Sequence, residues 1–137
     1  MDTNQHIQPG MIQEATFEVG EENLALHIGS GSSGVLATPW MIAFMERVSH
    51  RLLTCCLPEG YSSVGIHVDV QHLAPTPFGD KVRVRAEVLS IEGNRVKLSV
   101  QAWDASEQIG NGTHERVIIE EERFLRMVQA KRKTLFS

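Results

Sequence analysis

Alternating hydrophobic and polar positions dominate the second half of the chain. From residue 64 to residue 71, valine and isoleucine alternate with glycine and polar residues, the two-residue period typical of a strand with one buried face. The same period recurs at Val82, Val84, Ala86 and Val88, and again at Val96, Leu98, Val100 and Ala102. The turn sequence at residues 92–95 separates these two segments and predicts a β-hairpin. A last long strand is predicted from about Ile109 to Ile119.

The first half of the chain predicts two short strands and one helix. The strands are expected at residues 12–19 and 23–28, and a Gly/Ser connector follows at residues 29–34. The helix is expected from residue 38 to residue 57, with Thr38 as N-cap and Pro39 at the first helical position. Residues 40–45 are all apolar, which indicates a helix covered on several sides. Its solvent-facing positions are predicted to be Arg47, His50, Arg51 and Thr54.

The order of these elements predicts the fold class. Two short strands, one long buried helix and an antiparallel meander indicate an α+β domain, with a curved antiparallel sheet wrapped around one long central helix. The 137 residues are enough for a single domain with one core. An isolated sheet of this kind leaves its edges open, so we expect two subunits to join their sheets.

Composition and charge exclude several classes of protein. The net charge of −4 lacks the basic excess of a nucleic-acid binder. The longest apolar run, residues 39–45, is far shorter than a membrane-spanning helix, so a cytoplasmic protein is expected. The adjacent Cys55 and Cys56 cannot join distant segments, and we interpret them as reduced, buried fillers.

Several motifs in a fixed order resemble a known family. They are the segment from Ala37 to Glu46, then Gly65, then Val70-Gln71-His72 with Pro75-Thr76-Pro77-Phe78-Gly79, and finally the segment from Gly110 to Arg116. Together they are similar to hotdog-fold acyl-CoA thioesterases of the fluoroacetyl-CoA thioesterase type, over about residues 14–124. The resemblance implies a dimeric hotdog fold (a homodimer or a dimer of dimers), an acyl-CoA substrate, and no metal or cofactor beyond the coenzyme A of the substrate.

The resemblance also implies a set of site residues. Thr38, Glu46 and His72 take the catalytic positions, and Gly65 and Arg116 take positions that line the site. The family member that acts on fluoroacetyl-CoA has a longer, aromatic-bearing segment before the helix, whereas this chain has only the Gly/Ser connector. This difference favours an ordinary short or medium acyl-CoA.

Arg116 has three interpretations: it binds a coenzyme A phosphate, it orients Glu46, or it only pairs across the sheet. The three catalytic candidates also have structural interpretations. Thr38 is explained by helix capping, and Glu46 by a pair with His50 one turn later. His72 falls on the predicted inward face of its strand and is explained as a core histidine. Because eight helical residues separate Thr38 from Glu46 by up to about 12 Å, we expect His72, the substrate carbonyl and a water to lie between them.

Three functions fit these residues. Hydrolysis of an acyl-CoA thioester is the first, with Glu46 and His72 as acid and base or with Glu46 as nucleophile. A hotdog hydratase or dehydratase acting on an acyl thioester is the second. A non-catalytic acyl-CoA-binding module is the third.

Overall fold

A single five-stranded antiparallel sheet organises residues 1–136, the part of the chain that the computed structural model describes. The strands are β1 (Ile12–Glu18), β2 (Tyr61–His72), β3 (Lys81–Glu92), β4 (Arg95–Trp103) and β5 (Gln108–Glu120), and the helices are α1 (Ala25–Ile28), α2 (Thr38–Thr54) and α3 (Glu121–Phe136). The strand order is β1-β3-β4-β5-β2, so β1 and β2 form the two edges. Strand β1, the β3–β4 hairpin and β5 confirm the predictions.

The core lies between α2 and the concave face of the sheet. The alternate positions of β3 and β4 that the sequence predicts to be buried are at most 1% exposed. From α2 the buried apolar side chains are Met41, Phe44, Met45, Val48, Leu52 and Leu53. Each large side chain buried in this way contributes about 1.5–3 kcal/mol relative to its exposed state. The central helix is therefore held in place by the hydrophobic packing that the sequence pattern predicts.

One predicted strand is absent, and one predicted helix is too long. Residues 23–28 do not form a strand, because the side chain of Asn23 accepts a hydrogen bond from the N–H of Gly20 and closes a 3-10 turn that leads into α1. The predicted helix at residues 38–57 ends at Thr54. Beyond it, Cys56 and Leu57 donate to carbonyls three residues back, since the residue before Pro58 is disfavoured in a helix.

A register shift on β2 changes which side chains point towards α2. The shift lies between Gly65 and His67. Before it, Ser63 is buried and Gly65 faces the helix; after it, Val68, Val70 and His72 face the helix. The predicted inward face of residues 64, 66, 68, 70 and 72 is therefore right only beyond the shift, and Ile66 is 45% exposed. A bulge adds one residue and so exchanges the two faces of a strand.

Three further features depart from the sequence predictions or extend them. Helix α3 was not predicted; it begins where the N–H of Glu121 donates to the carbonyl of Gly60, and it contains the basic stretch at residues 131–133. Both cysteines are free, but neither is fully buried as predicted: Cys55, which follows α2, is exposed and Cys56 is half-buried. Among the described helices, none is long and apolar enough to cross a membrane.

Candidate active site

Thr38 and His72 form a direct pair between the start of α2 and the end of β2. Oγ1 of Thr38 lies 2.7 Å from Nδ1 of His72. The N-cap of α2 is Ala37, and Thr38 is the first helical residue, so the predicted capping role of Thr38 is wrong. Its hydroxyl points across to the sheet instead of towards the first N–H groups of the helix. A hydroxyl hydrogen-bonded to an imidazole is the arrangement found in activated nucleophiles and water-binding sites.

His72 has one ring nitrogen without a partner in hydrogen-bond geometry among residues 1–136. That atom, Nε2, is buried, although buried polar atoms are nearly always paired; the ring also has a backbone contact with Ala74. Burial lowers the pKa of His72 below its ordinary value, which favours the neutral imidazole that can act as a base. The pair opens on a cavity of about 350 Å³, whose wall includes Leu36, Ala37 and Leu73.

Glu46 lies in a second polar cluster, farther along α2. Its Oε2 is 3.5 Å from Nη1 of Arg116, and its side chain is 44% exposed. Arg116 is buried, and it donates from Nε to Oγ of Ser63 (2.8 Å) and from Nη2 to the carbonyl of Ser63 (3.0 Å). The structure thus pairs Glu46 with Arg116 and not with His50, which contacts Ser63, Thr54 and Nη2 of Arg116. Because Ser63 holds Arg116 in a buried position, the geometry of its guanidinium favours orienting the Glu46 carboxylate over binding a coenzyme A phosphate.

Gly65 provides the space that the Glu46 carboxylate occupies. A Cβ atom at this position would lie 2.9 Å from Oε2 of Glu46 and 3.1 Å from Cε1 of His114. Both distances are shorter than an ordinary contact of about 3.5 Å. Any side chain here would therefore displace the carboxylate. The glycine thus contributes to the second cluster by leaving room for the side chain of Glu46.

The two clusters do not meet within one chain. Gly65 and His72 are seven positions apart on β2, which corresponds to roughly 20 Å along a strand. The structure brings Thr38 to His72, and it brings Glu46 to Gly65 and Arg116. It does not place His72 between Thr38 and Glu46, as the helix spacing alone suggested.

Two residues of the second cluster were not singled out by the sequence. Ser63 and His114 both contact Arg116. A signal for His114 was present, because it lies two positions before Arg116 and so shares its face of a strand. No comparable signal marked Ser63, since its inward direction depends on the bulge.

Comparisons with known proteins identify the family of this chain. A family model described as fluoroacetyl-CoA-specific thioesterase (FlK) matches residues 19–122. The fluoroacetyl-CoA thioesterase of Streptantibioticus cattleyicolor is 41% identical over 97 residues, which are 71% of this chain and 70% of that protein.

Solved structures support the same assignment. A variant of the fluoroacetyl-CoA thioesterase in complex with acetyl-CoA matches with a TM-score of 0.86 and 34% identity, covering 91% of this chain and 98% of that one. A hot-dog-like protein from Thermanaerovibrio acidaminovorans matches with a TM-score of 0.88 and 28% identity, covering 96% and 97%. These matches confirm the α+β hotdog fold. The chain belongs to the fluoroacetyl-CoA-specific thioesterase family.

Proposed function

We propose that the protein hydrolyses a short or medium acyl-CoA thioester to the free acid and coenzyme A. The observation that carries this proposal is the hydrogen-bonded Thr38–His72 pair, whose buried Nε2 has no partner in hydrogen-bond geometry among residues 1–136 and is available to substrate or water. Family membership supports the same chemistry. A hydroxyl and a carboxylate supply nucleophiles, and the imidazole supplies the base and, once protonated, the acid, so the reaction needs no metal and no cofactor beyond the coenzyme A of the substrate.

The pair performs the proton transfers of acyl transfer to water. His72 accepts a proton from the Thr38 hydroxyl, or from a water that this hydroxyl orients, and the oxygen attacks the thioester carbonyl carbon. The C–S bond then breaks, and His72 returns the proton to the coenzyme A thiolate. Where Thr38 itself attacks, water hydrolyses the resulting ester with the same base. The carboxylate of Glu46 provides a second base or an alternative nucleophile.

The cavity supports a modest acyl group. Its volume of about 350 Å³ lies near the lower end of the range for small-molecule pockets, roughly 300–1,000 Å³. The adjoining connector carries glycine and serine at residues 29–34, so no large side chain of this segment fills the space. This volume fits a short or medium acyl group.

A homodimer would bring the two clusters together. Strand β2 is an edge strand, and its middle exposes Ile66 and Val68, which are 45% and 39% exposed. Open edges of this kind are normally covered. We therefore propose that β2 pairs antiparallel with β2 of a second copy around a two-fold axis, either as a dimer or within a dimer of dimers.

The antiparallel pairing has a geometric consequence for the site. Any two-fold axis between residues 65 and 72 places His72 closer to Gly65 of the partner subunit than to its own Gly65. With the axis at residue 67, the middle of the exposed segment 65–69, about three residue positions or 10 Å separate them along the strands. Each site would then combine Thr38 and His72 of one subunit with Glu46 of the other.

Thiol release from acyl-CoAs of increasing chain length tests the function. We expect turnover by the wild type and a loss of about 10² or more in Glu46→Gln and His72→Ala. Glu59→Gln, an exposed substitution in the loop after α2, serves as the control and should retain full activity. Consumption of enoyl-CoA without thiol release would favour the hydratase, and binding without turnover would favour the sensing module; either result would contradict hydrolysis.

Mixed dimers test the shared site. Glu46→Gln and His72→Ala subunits are unfolded together, refolded and assayed. If each site takes Glu46 from one subunit and His72 from the other, the mixture regains about a quarter of wild-type activity, because half of the dimers are mixed and each has one intact site. No recovery, with mixed dimers demonstrated by mass, would overturn the shared site.

We also propose a cytoplasmic location, to be tested by fractionation.

A further inference from the structure

The second cluster contains a buried histidine that the proposed chemistry does not use. His114 is 1% exposed and lies on β5, two residues before Arg116. We propose that His114 is a positioning residue, which holds the Arg116 guanidinium in the orientation that contacts the carboxylate of Glu46. This inference rests on the hydrolase function proposed above, since it concerns how one of its carboxylates is aligned.

The contacts of His114 determine its tautomer. Nε2 lies 3.1 Å from Nη1 of Arg116, and a guanidinium can only donate, so Nε2 must be the acceptor. Nδ1 lies 2.8 Å from the carbonyl of His67, and a carbonyl can only accept, so Nδ1 carries the proton. The ring is therefore neutral and uses both nitrogens. Burial, the largest cause, lowers the pKa of His114, in agreement with this state.

The same Arg116 nitrogen contacts both His114 and Glu46. Nη1 donates to Nε2 of His114 and lies 3.5 Å from Oε2 of Glu46. The other guanidinium nitrogens are directed towards Ser63, and Nη2 also lies 3.5 Å from Nδ1 of His50. His114 thus provides the lateral contact that keeps Nη1 beside the carboxylate, while Ser63 anchors the rest of the group. Without an acceptor at Nε2, Nη1 loses its buried partner, and only the contacts of Nε and Nη2 still fix the guanidinium.

The other contact of His114 reaches the bulge of β2. The carbonyl that receives the Nδ1 proton belongs to His67, at the register shift next to Gly65. The charged or titratable groups that face His114 are Arg116 on its own strand, Glu46 on α2 and His67 on β2. The His67 ring itself is 56% exposed and lies near Glu115 on the opposite face. The histidine therefore links the bulge, the guanidinium and the carboxylate.

Two substitutions separate the two contacts of the ring. In His114→Gln, the amide oxygen occupies roughly the place of Nε2 and can still accept from Arg116, but the donor to His67 is lost. In His114→Asn, the amide nitrogen occupies roughly the place of Nδ1 and can still donate to His67, but the acceptor for Arg116 is lost. His114→Ala removes both contacts. Each variant is assayed for thiol release and for thermal unfolding.

The positioning role predicts a difference between the variants in kcat and not in KM. We expect His114→Asn and His114→Ala to lose about 10- to 100-fold in kcat with KM little changed, because a misplacement of about 1 Å can cost 10² in rate. His114→Gln should retain kcat within about threefold of the wild type, by keeping the acceptor. If His114→Ala fails to fold, the comparison of Gln with Asn still decides.

Two results would overturn this inference while the hydrolase function stands. One is an active wild type with an equally active His114→Asn. The other is an equal loss in Gln and Asn, which would indicate a purely structural role. A wild type without thiol release would instead overturn the proposed function, and this inference with it.

Discussion

Replacing Gly65 with alanine isolates the alignment of Glu46 from the stability of the fold. The φ angle of Gly65 is outside the left-handed region, so the backbone accepts an alanine. The added Cβ would lie 2.9 Å from Oε2 of Glu46, 3.1 Å from Cε1 of His114 and 3.4 Å from Nη1 of Arg116. Since an ordinary contact is about 3.5 Å, the carboxylate is the group with the largest overlap.

The two crowded neighbours differ in their freedom to move. His114 is 1% exposed and hydrogen-bonded through both ring nitrogens, whereas the side chain of Glu46 is 44% exposed. The carboxylate should therefore retreat by roughly half an ångström, and its 3.5 Å contact with Arg116 should lengthen. If 1 Å of misplacement costs about 10² in rate, this shift costs about tenfold in kcat, or about 1.4 kcal/mol.

Stability should change little in the same variant. An alanine at a compatible backbone position restricts the unfolded chain and stabilises by about 0.4–1 kcal/mol. This offsets the displaced ion pair, a contact worth about 0–1 kcal/mol where one partner, here Glu46, is partly exposed. Stopped-time thiol release gives kcat, and thermal unfolding gives the stability. The expected result is a tenfold loss of kcat at a nearly unchanged Tm.

A double-mutant cycle with Glu46→Gln decides whether Gly65 acts through the carboxylate. In the Glu46→Gln background the alanine should cost little further activity, because the aligned group is already lost. Full activity of Gly65→Ala would refute the reasoning, and so would a tenfold loss of the same size in both backgrounds. The second result would mean that the alanine disturbs another part of the site.

Three other predictions follow from single contacts. Thr38→Ala should lose about 10² or more in kcat yet less than about 0.5 kcal/mol of stability, and Thr38→Ser should keep most of the activity. A loss of about 1 kcal/mol in the urea unfolding of Thr38→Ala would instead support a capping role for Thr38. Gly112→Ala should destabilise by about 2 kcal/mol or more, because its φ is +156° and its Cβ would overlap the Asp69 carbonyl, whereas Gly34→Ala, with nothing nearby, should not. Burial lowers the pKa of His72, so the unfolded chain binds a proton at this residue at higher pH than the folded chain does. The free energy of unfolding should therefore fall as the pH drops below about 6.5, and it should fall less steeply in His72→Gln. Equal pH dependence of the urea midpoints in the wild type and in His72→Gln would contradict this.

The period-two pattern predicted much of the sheet because its buried face is continuous. In β3 and β4 every second residue is apolar and buried, so neither strand can slip by one position without exposing the whole set. The sequence also predicted the loop of the hairpin at Gly93-Asn94, since these residues favour the turns that join antiparallel strands. On β2 the same reading failed at Ile66, because a bulge leaves no mark in a run of alternating residues.

The sequence likewise predicted one of the helices correctly and missed another. The apolar run at residues 40–45 was sufficient to predict α2, which is buried on several sides. Helix α3 was missed, because its apolar residues, including Leu125 and Leu135, are 56% and 75% exposed and are interspersed with basic residues. The second predicted strand was wrong because one side-chain contact, from Asn23 to the N–H of Gly20, outweighs a weak β propensity.

The sequence by itself determined the fold class, the central helix and most of the sheet, and its resemblance to a known family supplied the five candidate site residues. Only the tertiary structure decided how these residues group, with Thr38 beside His72 and with Glu46 beside Gly65 and Arg116. The physical reason is that hydrophobic periodicity is local and repeats along the chain, whereas a polar contact depends on where two distant segments cross. Helix spacing gave the separation of Thr38 and Glu46 along α2, but the course of β2 across that helix determines which of them His72 can reach.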